Sequence, residues 1–589
     1  MLIDEPAITK QFDYVVPPEM RDHVRVGTMV RVSLGPRRVG GWIVAIDPEP
    51  STHVALKPIA KVTGWGPSPD VIDLCRWVAW RWAGRVGPAL VAASPPGAVP
   101  GLPAPERPGP AIMAPMQAEA AEFFAGSAGH HDVAVLRLPP ASDPMSVVMA
   151  AVALGDVLVV TASVDAAKAI AARLRRSGRP TALVPRDWAR AAAGGSAVVG
   201  ARAAVLAPCP GLAAVVVLDE HDEALAEERV PCWHARDVAI ERARRAGVPC
   251  LLVSPCPSLE SLQLQSTSGA SALVRVSRSE ERAGWPLLDV IDRSRDLPSE
   301  SGPISPRLSR LLHRDAVPGD RGDGRVVCVL NRTGTARILG CSSCGALARC
   351  ERCGASVSQR GDSELECRRC STIRPMVCIG CGSTRLSARR PGVARIRADL
   401  VKMLGEPVAE LTANSDDAEP AERVVVGTEA ALHRVRDARI VAFLDIDDEL
   451  TAPRYRAAEQ AMSLLARAAR LVGGRSDGGR IVVQSRLPRH PVLDAVLLAD
   501  PGRLAAAELE QRRMLRFPPS TAMAAVSGPV AGEFIAALAD ADRRDVEILG
   551  PADDQWLVRA EDHRTLCDVL RSVARPQGRM RIEVDPLRV

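Results

Sequence analysis

Lysine is nearly absent: Lys10, Lys57, Lys61, Lys168 and Lys402 are the only five among 589 residues, so the basic charge is almost entirely arginine. Any chemistry that needs a lysine must use one of these five. No Gly-Lys dipeptide occurs anywhere. That excludes a phosphate loop of the form G-x4-G-K-[ST], in which backbone amides surround the phosphates, the lysine meets the β/γ charge and the hydroxyl reaches magnesium. No apolar run is long enough to span a bilayer; the nearest, Val147 to Val160, is broken by Gly155 and Asp156. Asp4 and Glu5 spoil a signal peptide. The expectation is a cytoplasmic, nucleoid-associated protein whose thiols stay reduced and free to hold metal. No internal repeat is visible.

With 47% apolar and 25% charged residues, the composition is that of a soluble globular protein. A chain of 589 residues predicts roughly four domains, each able to bury a core. The net charge of +5 is small for this size. It permits nucleic-acid binding through local patches without demanding it.

Eight of the fifteen cysteines fall between Cys341 and Cys381, always as C-x2-C pairs: Cys341/Cys344, Cys350/Cys353, Cys367/Cys370 and Cys378/Cys381. A C-x2-C knuckle points two thiolates at one ion, and two knuckles complete a tetrahedral four-thiolate site, so the expectation is two Zn2+ ions per chain. Disulfides suit short secreted chains. An iron-sulfur cluster fits less well with Gly345, Gly354 and Gly382 directly after a knuckle. Closed four-thiolate sites are structural rather than catalytic. Spacing alone leaves sequential and interleaved pairing of the knuckles open. Arg349, Arg352, Arg360, Arg368 and Arg369 around them can track phosphates or form a solvated face.

Along the chain, residues 1–93 begin with strand-like alternation (FDYVV, GTMVRVSLG, VGGWIVAI) and continue into the helical LCRWVAWRWAG. Trp77, Trp80 and Trp82 cannot share one helical face and read as packing residues more than as a base-stacking platform. Residues 94–115 are a proline-rich linker, extended and semi-rigid. After Met116, buried β-branched runs (VAVLRL, DVLVVTA, SAVVGA, AAVVVLDEHD, VPCLLVS) alternate with Ala/Arg-rich helices, the pattern of a parallel sheet. A second set follows at RVVCVLN, RVVVGT and ARIVAFLDIDDE, with the cysteine stretch inserted after its first strand. Two α/β lobes and a last α+β unit with the turn FPPS result.

These strings, in this order, resemble the primosomal protein N′ (PriA) family of replication restart proteins along nearly the whole chain. The strings are FDYVVP, VRVSLG, LCRWVAWRWAGRVGPALVAASPP, VVGARAAVLAPCPGLAAVVVLDEHD, WHARDVAIERA, SPCPSLES, NRTG, the eight cysteines, VVVGTEAAL, FPPS, and LGPA with VDP. The resemblance implies an α/β multidomain architecture with six parts. A β-rich 3′-end DNA-binding module (1–93) and the linker (94–115) precede a first RecA-like helicase lobe (116–275). The second lobe (276–340 and 382–490) encloses a binuclear zinc insertion (341–381), and an α+β C-terminal domain (491–589) closes the chain. It also implies interleaved knuckles: Cys341, Cys344, Cys378 and Cys381 on one zinc, and Cys350, Cys353, Cys367 and Cys370 on the other. The family's pocket for a DNA 3′ end maps onto Phe12, Asp13, Tyr14, Gly35 and Lys57. There a ring can stack the terminal base, a carboxylate can accept from the 3′-hydroxyl and an ammonium can meet a phosphate. The implied partners are branched DNA (forks and D-loops), single-stranded DNA-binding protein and helicase-loading proteins.

The motor motifs depart from the family. Where it carries its phosphate loop, residues 135–148 read VLRLPPASDPMSVV, with Pro139, Pro140, Pro144 and Asp143 and no glycine. Its Asp-Glu-Glu-His-Asp stands as Leu218-Asp219-Glu220-His221-Asp222, a register supported by His234 downstream; Leu471 and Gly474 occupy the arginine-finger positions, with Arg470 and Arg475 one residue off. The family's winged-helix domain is replaced by the linker. Because phosphoryl transfer rests on positioning and electrostatic stabilisation, the expectation is a chain that is not an enzyme: a helicase-like platform with no catalytic or nucleotide-binding residues, not using ATP. The alternatives are an ATP-dependent 3′-to-5′ DNA helicase of the primosome, and a zinc-ribbon nuclease accessory or transcription factor.

Overall fold

The computed structural model describes the chain apart from residues 6–7, 9, 49–54, 107–114, 128–130, 268–271, 297–301, 314–323, 331–338, 362, 389–392, 413–414, 416–418, 542–544 and 553. The NRTG string (331–334) and the middle of the linker (107–114) lie outside the described residues.

The N-terminal module is a four-stranded antiparallel sheet of β1 (Leu2–Ile3), β2 (Met29–Leu34), β3 (Arg37–Trp42) and β4 (Lys61–Gly64), in the order β1-β3-β2-β4. Its alternation is that of a sheet with one covered face: Val30 and Val32 are buried while Arg31 between them is exposed. They join Ile3, Val39, Ile43 and Ile59 in a small core against which Phe12 and Tyr14 are packed. Gly35, at φ +59°, turns the β2–β3 hairpin. The helices Pro69–Arg81 and Val86–Ala93 follow. The linker is held against its neighbours: Trp65 N donates to Val99 O at 2.8 Å, and Arg190 pairs with Glu106 at 3.0 Å.

The first lobe is a seven-stranded parallel sheet. Its strands are β5 (Val133–Arg137), β6 (Asp156–Val160), β7 (Thr181–Leu183), β8 (Ala197–Gly200), β9 (Leu212–Leu218), β10 (Cys250–Ser254) and β11 (Ala272–Arg275), in the order β11-β5-β10-β9-β6-β8-β7. The central strands are buried throughout, which is why they read as unbroken apolar runs.

The second lobe has β12 (Leu287–Asp292) and β13 (Val326–Val329), then the insertion with β14 (Leu339–Cys341), β15 (Ser358–Arg360), β16 (Glu364–Glu366), β17 (Ile373–Pro375) and β18 (Leu386–Ala388). It resumes with β19 (Val408–Leu411), β20 (Val424–Gly427), β21 (Ile440–Phe443) and β22 (Arg480–Ser485), giving a six-stranded parallel sheet of order β12-β22-β21-β13-β20-β19. In the insertion, β14 pairs with β18, and β15, β16 and β17 form a small antiparallel sheet. Both lobes are α/β layers built on parallel sheets.

The C-terminal domain is a four-stranded antiparallel sheet of β23 (Ala522–Ser527), β24 (Val546–Ala552), β25 (Gln555–Ala560) and β26 (Arg581–Val584), ordered β24-β25-β23-β26. The chain divides into two compact units. One holds residues 1–137, 143–275 and 515–586; the other holds 138–142, 276–514 and 587–589. Residues 491–514, assigned from the sequence to the C-terminal domain, therefore fall with the second lobe. The helix Pro491–Leu497 buries Val492, Leu493, Ala495 and Val496 there. In the first unit the tryptophans act as packing residues: Trp82 is buried edge-on to Trp77 at 5.6 Å, and Trp80 Nε1 donates to Asp568 at 2.7 Å.

Candidate metal centres and nucleic-acid interface

The eight cysteines gather into two groups of four, Cys341/Cys344/Cys378/Cys381 and Cys350/Cys353/Cys367/Cys370, each with its ligand atoms within 4.8 Å of one another. The knuckles are thus interleaved. Sγ separations across the first group are 3.6 Å for both Cys341–Cys381 and Cys344–Cys378. Across the second they are 3.4 Å for Cys350–Cys370 and 3.5 Å for Cys353–Cys367. A tetrahedron with Zn–S bonds of about 2.3 Å has S···S edges of roughly 3.8 Å, so both groups fit zinc with little movement.

The local fold explains the spacing. In every knuckle the residue after the second cysteine donates its N–H to the carbonyl of the first: Gly345 to Cys341, Gly354 to Cys350 and Gly382 to Cys378 at 2.9 Å, and Ser371 to Cys367 at 2.8 Å. Closing that turn requires left-handed backbone, with φ of +77°, +73°, +72° and +56° respectively. Three positions carry the glycine such a turn favours; Ser371 does not. Within the first group, burial pushes the Cys341 thiol up, but the N–H groups of Cys344 and Ser343 and the neighbouring thiols outweigh it and bring it down to about 6.

Several bonds fasten the insertion to its own lobe. Arg486 donates to Gly345 O at 3.1 Å, and Arg369, inside the Cys367 knuckle, donates to Gln511 at 3.0 Å. Arg349, Arg352, Arg360 and Arg368 are exposed, whereas Arg369 is half-buried by this contact. Behind Arg486, the buried Asp447 accepts from Ser485 Oγ at 2.5 Å and from Arg486 N at 2.9 Å. Sequence reading passed over these residues because nothing in a lone DIDD string marks which carboxylate turns inward.

In the N-terminal module, the segment Phe12-Asp13-Tyr14 runs beside the segment carrying Lys57. Val15 N donates to Lys57 O and Ile59 N to Val15 O, both at 3.0 Å. Tyr14 Oη donates to Ser33 O at 3.2 Å, which sets its ring two residues from Gly35 at the hairpin turn. Gly35 has open space where a side chain would project. Lys57 is exposed, while Phe12, Asp13 and Tyr14 are half-buried. The backbone thus brings the Phe12–Tyr14 segment beside the segment carrying Lys57, with Tyr14 tied to the strand that ends at the Gly35 turn.

In the first lobe, Asp143 precedes the helix Met145–Val152, accepts from Met145 N at 3.1 Å and pairs with Arg173 through both oxygens. Glu220 is fully buried: its carboxylate accepts from Ser258 N and Oγ at 2.7 Å and from Ser261 Oγ at 2.6 Å, with Arg236 at 3.6 Å. Asp222 caps the turn at Ala224. His221 Nδ1 lies 2.8 Å from Ser254 Oγ at the end of β10. The SPCPS segment therefore closes over the LDEHD segment through serine hydroxyls.

Comparison with known proteins gives four findings. Residues 1–95 match a family model described as the 3′ DNA-binding domain (3′BD). The chain is 30% identical over 608 residues to proteins named "Probable replication restart protein PriA" from Mycobacterium tuberculosis and Mycobacterium bovis, covering 94% of this chain and 90% of theirs. It is 25% identical over 386 residues to "Replication restart protein PriA" of Bacillus subtilis, covering 60% of this chain and 47% of that one. Among solved structures, a DEAD box protein from Methanococcus jannaschii aligns with 68% of this chain and 90% of its own at 9% identity, with a TM-score of 0.30.

The expectation that the chain is not an enzyme is corrected by these matches. Similarity over 94% of the chain runs through both α/β lobes and groups it with proteins named as replication restart protein PriA, so the departures in single motifs do not set it apart from that family. The missing glycine and lysine after β5 are facts of the sequence. They exclude one way of holding phosphate, not the activity class.

Proposed function

Because the chain belongs to the PriA family of replication restart proteins, we propose that it binds branched DNA at a free 3′ end and acts there in reloading the replication machinery. The observation that carries this reading is the N-terminal module, whose residues 1–95 match the 3′ DNA-binding domain model; Phe12, Asp13, Tyr14, Gly35 and Lys57 are its proposed pocket for the 3′ end. An aromatic ring stacks the last base, the Asp13 carboxylate accepts from the terminal 3′-hydroxyl and Lys57 meets a backbone phosphate. Only a strand end offers that hydroxyl.

Two zinc ions hold the insertion in shape through the two four-cysteine groups. Zinc supplies no chemistry there, since no ligand position is left open. The RecA-like lobes take the family's role of ATP-dependent 3′-to-5′ unwinding. Nucleotide must then be held without a standard phosphate loop. Single-stranded DNA-binding protein and helicase-loading proteins are the partners, and the cytoplasm, on chromosomal DNA, is the place of action.

The test is ATP hydrolysis by the purified protein with and without a forked DNA, run alongside binding to that fork. Fork-stimulated hydrolysis supports the whole reading. Tight fork binding with no hydrolysis removes the unwinding role and leaves the restart role to binding; failure to prefer a fork over plain duplex overturns both.

A further inference from the structure

The two four-cysteine groups differ in how far they are covered. Cys350 and Cys367 lie in the apolar core of the insertion with Val357 and Leu365, and Cys353 and Cys370 pack against it. Among the described residues, no member of the other group is part of that core. There Cys341 and Cys378 are buried, Cys344 is half-buried and Cys381 is exposed. The knuckle that carries Cys381 adds little cover, for its inner residues Ile379 and Gly380 are exposed. A β-carbon at Gly380 would lie against Cys344 Sγ and Cys378 Sγ, at 3.7 and 3.8 Å, and glycine puts nothing there. At the matching position of the Cys367 knuckle stands Arg369, held by Gln511.

The exposed sulfur has a close neighbour. Cys381 Sγ lies 3.6 Å from Sγ of Cys341, the last residue of β14. A metal site holds its sulfurs as thiolates, and the thiolate is the form that attacks an oxidant. An accessible thiolate beside a second one is the arrangement that oxidants convert to a disulfide.

We propose that Cys381 is an oxidation site, at which a peroxide opens the Cys341/Cys344/Cys378/Cys381 group while the covered group stays intact. The Cys381 thiolate attacks the O–O bond of hydrogen peroxide, giving a sulfenic acid and hydroxide. The Cys341 thiolate then displaces hydroxide from that sulfur and forms the disulfide. Two thiolates and one peroxide thus become one disulfide and two hydroxides, with two electrons passing from sulfur to oxygen; zinc has no redox chemistry and keeps its charge. Only Cys344 and Cys378 are left as ligands, half of what a closed zinc site needs. The inference rests on the two-zinc reading above. Its consequence is local: Cys341 pairs with Leu386 where β14 meets β18, so the base of the insertion loosens while its apolar core holds.

The test uses the full chain, its zinc content measured first. Hydrogen peroxide is added in excess, released zinc is followed with a chromogenic chelator, and the cysteines are mapped with time by alkylation and peptide mass. One zinc should leave about tenfold faster than the other. At that stage the map should show a Cys341–Cys381 disulfide, with Cys350, Cys353, Cys367 and Cys370 still reduced, and amide exchange should rise in β14 and β18 before β15 to β17. Cys381→His keeps a zinc donor at that position and should slow the first release about tenfold. If that variant does not hold both ions, the wild-type cysteine map decides alone. Zinc lost first from the Cys350 group, loss from both groups together, or a first disulfide without Cys381 overturns the proposal and leaves the two-zinc reading standing. Fewer than two zinc ions before oxidant overturns both.

Discussion

Gly354 and Ser371 follow the two knuckles of the same four-cysteine group, so exchanging their character should move one zinc affinity in opposite directions. Both residues are left-handed, at φ +73° and +56°. Nothing lies within 4 Å of a Cβ added at Gly354, so Gly354→Ala meets backbone strain alone. That strain is about 1–2 kcal/mol, partly offset by the smaller conformational freedom of alanine in the unfolded chain, for a net loss of about 1 kcal/mol. Ser371→Gly runs the other way and gains up to about 1 kcal/mol by the same reasoning. In a structural zinc site the metal's binding energy is folding energy. Gly354→Ala should therefore weaken the Cys350/Cys353/Cys367/Cys370 site about fivefold, and Ser371→Gly should tighten it two- to fivefold. The assay is competition with a chromogenic chelator on protein first shown to hold two zinc ions per chain. The Cys341/Cys344/Cys378/Cys381 site, untouched by either change, serves as the internal standard. Shifts of the same sign, or shifts in the other site, would refute the assignment of strain to these turns, and one zinc or none would refute the two-site account.

Two further substitutions test the first compact unit. Arg81 pairs with Asp585 at 2.8 Å, with side-chain exposures of 9% and 18%, and His563 Nε2 lies 2.8 Å from the other oxygen of Asp585. Burial raises the Asp585 pKa, but His563 and Arg81 outweigh it and hold the carboxyl well below its usual range. Its contribution is therefore present above about pH 4, the ordinary carboxylate value, and is lost as pH falls below it. Asp585→Asn should cost about 3 kcal/mol at neutral pH, read by denaturant unfolding, and should flatten the acid side of the stability profile; an unchanged acid limb would contradict this. Glu220→Gln turns an amide toward the Ser258 and Ser261 hydroxyls and removes the charge facing Arg236. A loss of about 2 kcal/mol is expected, seen as a lower melting temperature, and a neutral outcome would show the buried carboxylate to be dispensable for stability.

Local chemistry was readable in the chain and distant pairing was not. Four C-x2-C pairs, three followed by glycine, announce metal knuckles because the turn itself demands those residues. Buried β-branched runs announce parallel strands because both faces are covered. By contrast, Arg81–Asp585, Arg575–Ala83 and Arg369–Gln511 join residues 504, 492 and 142 positions apart. Each arginine looks, in sequence, like any other solvated side chain. Residues 491–514, which fall in the second compact unit, look in sequence like the opening of a new domain because helices that pack on a lobe and helices that start a domain share one periodicity. The reading of a non-enzyme failed for another reason. It took departures at the phosphate loop, at Leu218 and at the arginine-finger positions as the absence of an activity, whereas function is set by a site and not by motif matches.

The most direct test of 3′-end recognition is equilibrium binding of the purified chain to two forks identical except for a 3′-hydroxyl or a 3′-phosphate on the nascent strand, repeated with Asp13→Ala. A carboxylate that accepts from the terminal hydroxyl should favour the hydroxyl fork by about tenfold, in line with 1.5–3 kcal/mol for a charged hydrogen bond less what solvent recovers. Asp13→Ala should erase that preference. Equal affinity of the wild-type chain for both forks, or a preference that survives Asp13→Ala, would contradict the account.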